Sequence, residues 1–111
     1  MLIYKILLPA EWEQLEAGGS YDGTPFDHES GFIHCSSGAQ VAETAKQVFG
    51  GEPELVVVAV DPDKLGETVR WEQAPDRGEL FPHIYGPLPM SAVTSVVRVA
   101  GAEAIDGDVI T

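Results

Sequence analysis

The sequence predicts an α+β domain, with a small mixed sheet and two helices near the N-terminal half. Three observations carry that expectation. The runs Leu2 to Leu8 and Glu54 to Val60 are apolar and of strand length, the second nearly all β-branched. The stretches after Pro9 and before Gly50 repeat apolar residues at the spacing of one helical face. At 111 residues the chain has room for one domain.

The first strand, Leu2 to Leu8, is interrupted only by Tyr4 and Lys5. Pro9 suits the first turn of a helix, where its missing N–H would be unpaired anyway. That helix runs to about Ala17, buries Trp12 and Leu15 together with Leu8, and stops at Gly18-Gly19. Ser20 to Ser30 is polar and turn-rich, with Asp22-Gly23, Thr24-Pro25 and the cluster Asp27, His28, Glu29, and it reads as a loop. A loop of this length in a small domain often carries function. It is placed to cover the next strand as a lid, with Tyr21 or Phe26 as an aromatic cover; the alternative is a solvated connection with Phe26 tucked into the core.

Phe32 to Ser36 form the next strand, whose period of two puts Phe32, His34 and Ser36 on one face and Ile33 and Cys35 on the other. Ser37 followed by Gln40 has capping-box spacing for a helix from about Gly38 to Phe49, with Val41, Ala45, Val48 and Phe49 on its inner face and Gly50-Gly51 at its end. Glu54 to Val60 reads as a central strand buried on both sides. Asp61-Pro62-Asp63 turns the chain toward Glu67 to Glu72, an alternating, half-buried strand with Val69 and Trp71 on one face and Thr68, Arg70 and Glu72 on the other. Gly78 to Pro89 holds three prolines and two glycines and reads as a rigid, irregular segment hard to fit inside a sheet. Where it is extended, Phe81, His83 and Tyr85 project to one side. Ser91 to Val99 closes the fold with Val93, Val97 and Val99 inward. Residues 1–99 thus form a single domain, and 100–111 a small acidic tail, loosely held.

Six Lys and Arg against 18 Asp and Glu give a net charge of -12. That field repels phosphate backbones and anionic lipid, so neither nucleic acid nor a membrane surface is an expected partner. No apolar run approaches the roughly 20 residues that cross a bilayer, and Met1 to Lys5 is too short for a signal peptide. With a single cysteine no disulfide forms within the chain. A cytoplasmic protein is expected, its acidity serving solubility; the oligomeric state is not legible.

Chemistry is expected on the polar face of the Phe32 to Ser36 strand, where His34 and Ser36 point together, and on Phe81 to Pro87 as a second wall. His34 and His83 suit acid–base work or the holding of a hydroxyl or carbonyl near neutral pH. Glu72 is the carboxylate of interest, on the strand face that also carries Arg70. Cys35 faces away from His34 and reads as a small buried apolar residue. His28, His34, Cys35 and His83 lack metal-ligand spacing, so no metal is expected. The glycine-rich stretches match neither the phosphate-binding loop nor the dinucleotide fingerprint.

Ile3-Tyr4-Lys5-Ile6, Gly31-Phe32-Ile33-His34-Cys35-Ser36, Arg70-Trp71-Glu72 and Phe81-Pro82-His83-Ile84-Tyr85-Gly86-Pro87-Leu88 follow one another in this order from Ile3 to about Val97. In this the chain resembles the bacterial domain-of-unknown-function family 952. The resemblance implies a fold similar to the ADP-ribosyltransferase superfamily, which includes RNA 2′-phosphotransferases and toxin-like enzymes that use NAD. The Phe32 to Ser36 strand resembles the histidine-containing strand lining the NAD cleft in the phosphotransferase branch. Where those enzymes carry His-Gly-Thr or His-Gly-Ser on the first strand, this chain has Tyr4-Lys5-Ile6.

Three readings follow. The first is NAD-dependent ADP-ribosyl transfer or NAD cleavage, with His34, Glu72 and His83 catalytic and Ser36, Arg70 and Tyr85 binding the ligand. In it Glu72 stabilises the positive charge that develops on the ribose, His34 and Ser36 hold hydroxyls and Tyr85 stacks on the ring. The second is a noncatalytic pocket for a small metabolite on the same face. The third is an interaction module whose acidic surface docks a basic partner.

Overall fold

The computed structural model describes residues 1–73 and 78–106. The fold is built on β1 (Ile3–Leu7) and β5 (Leu55–Val60), paired antiparallel and buried at every residue. β5 lies between β1 and β9 (Val93–Val99), and β4 (Ser36–Ser37) adds a fourth strand beyond β1. Both faces of this sheet are covered, which is why β5 can be apolar throughout. On one face Ile3, Leu7, Val56, Val58 and Val60 pack with Trp12 and Leu15 of α1 (Pro9–Gly18). On the other, Tyr4, Ile6, Val57 and Ala59 pack with Val41 and Ala45 of α3 (Val41–Phe49).

A second sheet runs β3 (Ile33–His34), β7 (Leu80–Ile84), β6 (Val69–Gln73), and delivers Ile33 and Ile84 to the first of these cores. β2 (Ser20–Tyr21) pairs with β8 (Leu88–Pro89). The α+β class holds, but among the described residues three sheets replace the single mixed one and every strand pair is antiparallel. No helix among the described residues is long and apolar enough to cross a membrane.

Several local expectations are corrected. The Ser20 to Ser30 loop contains a third helix, α2 (Pro25–Ser30), started by a reciprocal cap: the Asp27 amide donates to Thr24 Oγ1 at 3.0 Å and the Thr24 amide to Asp27 Oδ2 at 2.9 Å. Gly31, at φ 89°, ends it in the left-handed conformation that suits glycine. Tyr21 is core, not cover. The Phe32 to Ser36 strand breaks at Cys35, where the chain passes from the second sheet to the first, so β3 pairs with β7 and β4 with β1.

α3 starts at Val41 rather than Gly38; Ser37 stays in β4, its amide donating to the Gln40 side chain at 3.0 Å. Val48 faces out, 61% exposed. β6 is an exposed edge strand and not half-buried, with Trp71 at its surface. Pro82 sits in the central strand of the second sheet. Its carbonyl accepts the Cys35 amide at 3.1 Å, so its missing N–H faces the same side, where β3 has already ended. A register shift between Ala59 and Val60 turns Val93 to the first core while Val97 and Val99 reach the second. Ala102 and Ile105 are buried in that second core, so the segment after Ala100 is docked as far as Ile105. The remainder of the expected tail, 107–111, lies outside the described residues.

Candidate functional site

Antiparallel register sets His34 of β3 directly opposite His83 of β7, and His83 opposite Arg70 of β6. Three neighbouring strands thus place three of the expected site residues in one row. The two imidazoles stand edge to face with centroids 5.7 Å apart. Each is held by a carboxylate at the same ring nitrogen. His34 Nδ1 lies 2.6 Å from Asp27 Oδ1, and His83 Nδ1 lies 2.8 Å from Glu72 Oε1.

Asp27 is buried and spends both oxygens. Oδ1 also accepts the His34 amide at 3.2 Å, and Oδ2 accepts the Lys5 ammonium at 3.2 Å besides the Thr24 amide. Lys5, itself buried, donates a second bond to the His34 carbonyl at 2.9 Å. Burial alone would raise the Asp27 pKa. The hydrogen bond from His34, the Lys5 charge and the two backbone amides outweigh it and hold the carboxyl well below the usual carboxylate range.

Glu72 is partly exposed, and its Oε1 also accepts the Tyr85 hydroxyl at 2.6 Å. The bonds from Tyr85 and His83 lower its pKa, while Glu72 raises that of the Tyr85 phenol. The Arg70 guanidinium sits 5.0 Å from the centre of the Tyr85 ring. Aromatic rings hold the imidazoles from the sides: Phe26 stacks on His34 at 4.5 Å and 14°, and Phe32 on His83 at 3.9 Å and 16°.

A cleft of about 560 Å³ opens beside the histidines, with Phe26, His34, Ser36, Thr44, Phe81 and His83 among its walls. Of the six expected site residues, His34, Ser36 and His83 line it. Arg70, Glu72 and Tyr85 do not; Glu72 meets His83, Tyr85 lies against Phe32, and Arg70 lies over Tyr85. Ser36 is buried and its hydroxyl donates to Thr44 Oγ1 at 3.3 Å. Cys35, with its thiol pushed up to about 12 by burial, is not poised as a nucleophile.

Over residues 6–96 the sequence matches the family described as Protein of unknown function (DUF952). The chain belongs to that family. Its fold is similar to that of CC0527 from Caulobacter crescentus. The crystal structure of that protein is 45% identical, with a TM-score of 0.83 over 88% of this chain and 85% of that one. Its solution NMR structure is 43% identical, with a TM-score of 0.79 over 96% and 88%. No curated protein matches.

In this DUF952 domain, sequence reasoning missed Asp27 and Lys5 as the groups that hold His34, and the stacking of Phe32 on His83, whereas Phe26, expected as an aromatic cover for the Phe32 to Ser36 strand, does stack on His34. Asp27 and Lys5 both had signals. Thr24-Pro25-Phe26-Asp27 is a helix start with the acid at the capping position, and Lys5 is a lone charge inside a strand otherwise buried and mostly apolar.

Proposed function

We propose that this DUF952 domain binds a small metabolite in the cleft beside Phe26, His34, Ser36 and His83, and that the two histidines meet that ligand as hydrogen-bonding or proton-transferring groups. One observation carries the reading. Both imidazoles are pinned at Nδ1 by an ionised carboxylate, and among the described residues neither Nε2 has a hydrogen-bond partner. A histidine kept for packing needs no such alignment; two side by side at a cleft suit a ligand's polar edge. Apolar walls supply the area, and the few polar groups supply direction.

Glu72 favours a second, more specific reading, that of an NAD-cleaving or ADP-ribosyl-transferring enzyme with the fold that the family resemblance implies. Its Oε1 takes both Tyr85 and His83, which keeps the carboxylate anionic and leaves Oε2 without a partner among the described residues. Such an anion stabilises the cationic ribose formed when the bond to nicotinamide breaks. Against a dinucleotide stands the electrostatics. Lys5 is neutralised by Asp27 and Arg70 lies over Tyr85, so little positive charge meets a pyrophosphate.

Thermal-shift measurements with NAD, ADP-ribose, nicotinamide, nucleosides and a crude metabolite extract test both readings. A ligand at a hundred times its dissociation constant stabilises the fold by about 2.7 kcal/mol, and His34→Ala and His83→Ala should lose that gain. Silence across the whole screen overturns binding. For the second reading, NAD incubation should release nicotinamide with the wild type and not with Glu72→Gln; no release from the wild type overturns it. Copurification of a basic protein in a salt-sensitive manner, undiminished when both histidines are replaced, would support the acidic interaction module instead.

A further inference from the structure

We propose that Asp27, locked in place by Lys5, is the positioning residue for His34: it keeps the proton on Nδ1, so that Nε2 is presented to the cleft's ligand as an acceptor for a hydroxyl, amine or amide N–H. The inference deepens the cleft reading and rests on it for the ligand, but not for the proton.

The geometry leaves the Asp27 carboxylate little freedom. Four donors converge on it: His34 Nδ1, the His34 amide, the Thr24 amide and Lys5 Nζ. An ionised carboxylate accepts and cannot donate, so the 2.6 Å contact requires the hydrogen to be on the imidazole side. The backbone is tied to the same point, because Lys5 also holds the His34 carbonyl and Asp27 also holds the His34 amide. Ring and main chain of His34 are therefore fixed by one buried ion pair reaching across from β1 and α2. Gly23 permits the approach: it has φ 113°, and a Cβ there would lie 2.8 Å from the Asp27 Cβ.

A neutral imidazole with Nδ1–H has its remaining lone pair on Nε2. The partner that suits it is a hydrogen-bond donor. A bare carbonyl or phosphate oxygen offers only lone pairs and would face it unfavourably. The ligand class is thus one that brings hydroxyl or N–H groups to His34, such as a sugar, an alcohol or an amide.

Long-range proton–nitrogen NMR correlations of the imidazole rings in the 15N-labelled protein, at neutral pH and without ligand, read the proton directly. The expected wild-type spectrum shows His34 protonated at Nδ1 and bare at Nε2. In the charge-balanced variant Lys5→Met/Asp27→Ala, His34 moves to the Nε2–H form while the His83 signals stay, since Glu72 is untouched. A wild-type spectrum with a proton on His34 Nε2, whether alone or beside one on Nδ1, or a folded double variant with the His34 pattern unchanged, overturns the proposal. Should the variant not fold, the wild-type spectrum alone decides. No ligand enters this measurement, so a silent thermal-shift screen overturns the binding proposal and leaves the tautomer to be judged separately.

Discussion

His34 and His83 make the same contact, Nδ1 to a carboxylate oxygen, with opposite materials. Asp27 arrives from the start of a short helix, is 2% exposed and has all its capacity taken by four donors. Glu72 arrives from the next strand, its side chain is 37% exposed, and one oxygen receives both His83 and Tyr85. A buried charge is tolerated only where it is paired and fully hydrogen-bonded, whereas an exposed one is screened by water whatever its partner does. The first pair is therefore part of what folds the protein. The second can be altered while the fold stands.

Removing Asp27 should have the largest effect. Asp27→Ala strands the buried Lys5 ammonium, frees the His34 ring and deletes half of the α2 cap, so a loss of about 3–5 kcal/mol is expected. Urea denaturation at neutral pH measures it. The same pair sets an acid limit. The folded-state pKa of Asp27 lies below its unfolded value, so the folded protein binds fewer protons there than the unfolded chain. Its stabilisation is complete above about pH 4, where an unfolded aspartate is also ionised, and is lost as pH falls toward the folded-state value. Denaturation midpoints should therefore drop below about pH 4, and more steeply in the wild type than in Asp27→Ala.

Gly23→Ala attacks the same pair without touching a charge. The substitution forces alanine into φ 113° and drives a methyl to 2.8 Å from the Asp27 Cβ. A loss of about 1–3 kcal/mol is expected, with the His34 ring resonances shifted and those of His83 unmoved. Equal shifts at both histidines would mean that the two pairs are not separable units.

What the sequence reveals of this contrast follows from how local each signal is. β1, α1 and β5 are legible because apolar runs, Pro9 and Gly18-Gly19 are local signals, and their burial in the structure agrees. His34, His83, Glu72, Arg70 and Tyr85 are legible as candidates because a period of two groups them by face. Arg70, Glu72, His83 and Tyr85 meet through the pairing of β6 with β7, which are near neighbours in sequence, whereas His34 joins them only through the pairing of β3 with β7 across a long separation, which no local pattern encodes. The break at Cys35 and the tolerance of Pro82 in a central strand depend on each other, since β3 ends where the proline lacks its donor. Asp27 was hidden for a different reason. Its capping signal lies in a segment whose polarity reads as loop, and six residues of helix carry too little periodicity to contest that.

Glu72→Gln probes the exposed pair. Loss of this solvent-screened charge should leave stability nearly unchanged, in contrast to Asp27→Ala, while the Tyr85 phenol, freed of its anionic neighbour, should titrate at lower pH than in the wild type. Ultraviolet titration of the tyrosines with Tyr85→Phe as the reference resolves the change. A stability loss matching that of Asp27→Ala would erase the distinction between the two pairs.

The smallest effect on stability is expected at Phe26, which is 63% exposed although it stacks on His34. Removing an exposed ring forfeits little buried area, so Phe26→Ala should cost about 1 kcal/mol or less. Its consequence is access. The His34 side chain is 31% exposed with Phe26 in place, and that of His83 is 7% exposed beneath Phe32. Acylation of the imidazoles by diethyl pyrocarbonate, followed by mass spectrometry of the modified peptides, should therefore quicken at His34 in Phe26→Ala and stay slow at His83. Phe32→Ala should quicken modification most at His83, on which the ring stacks, and less at His34, which it meets tilted at 4.7 Å. Equal acceleration at both sites in either variant would show that the two rings share one cover, and that they differ by their carboxylates alone.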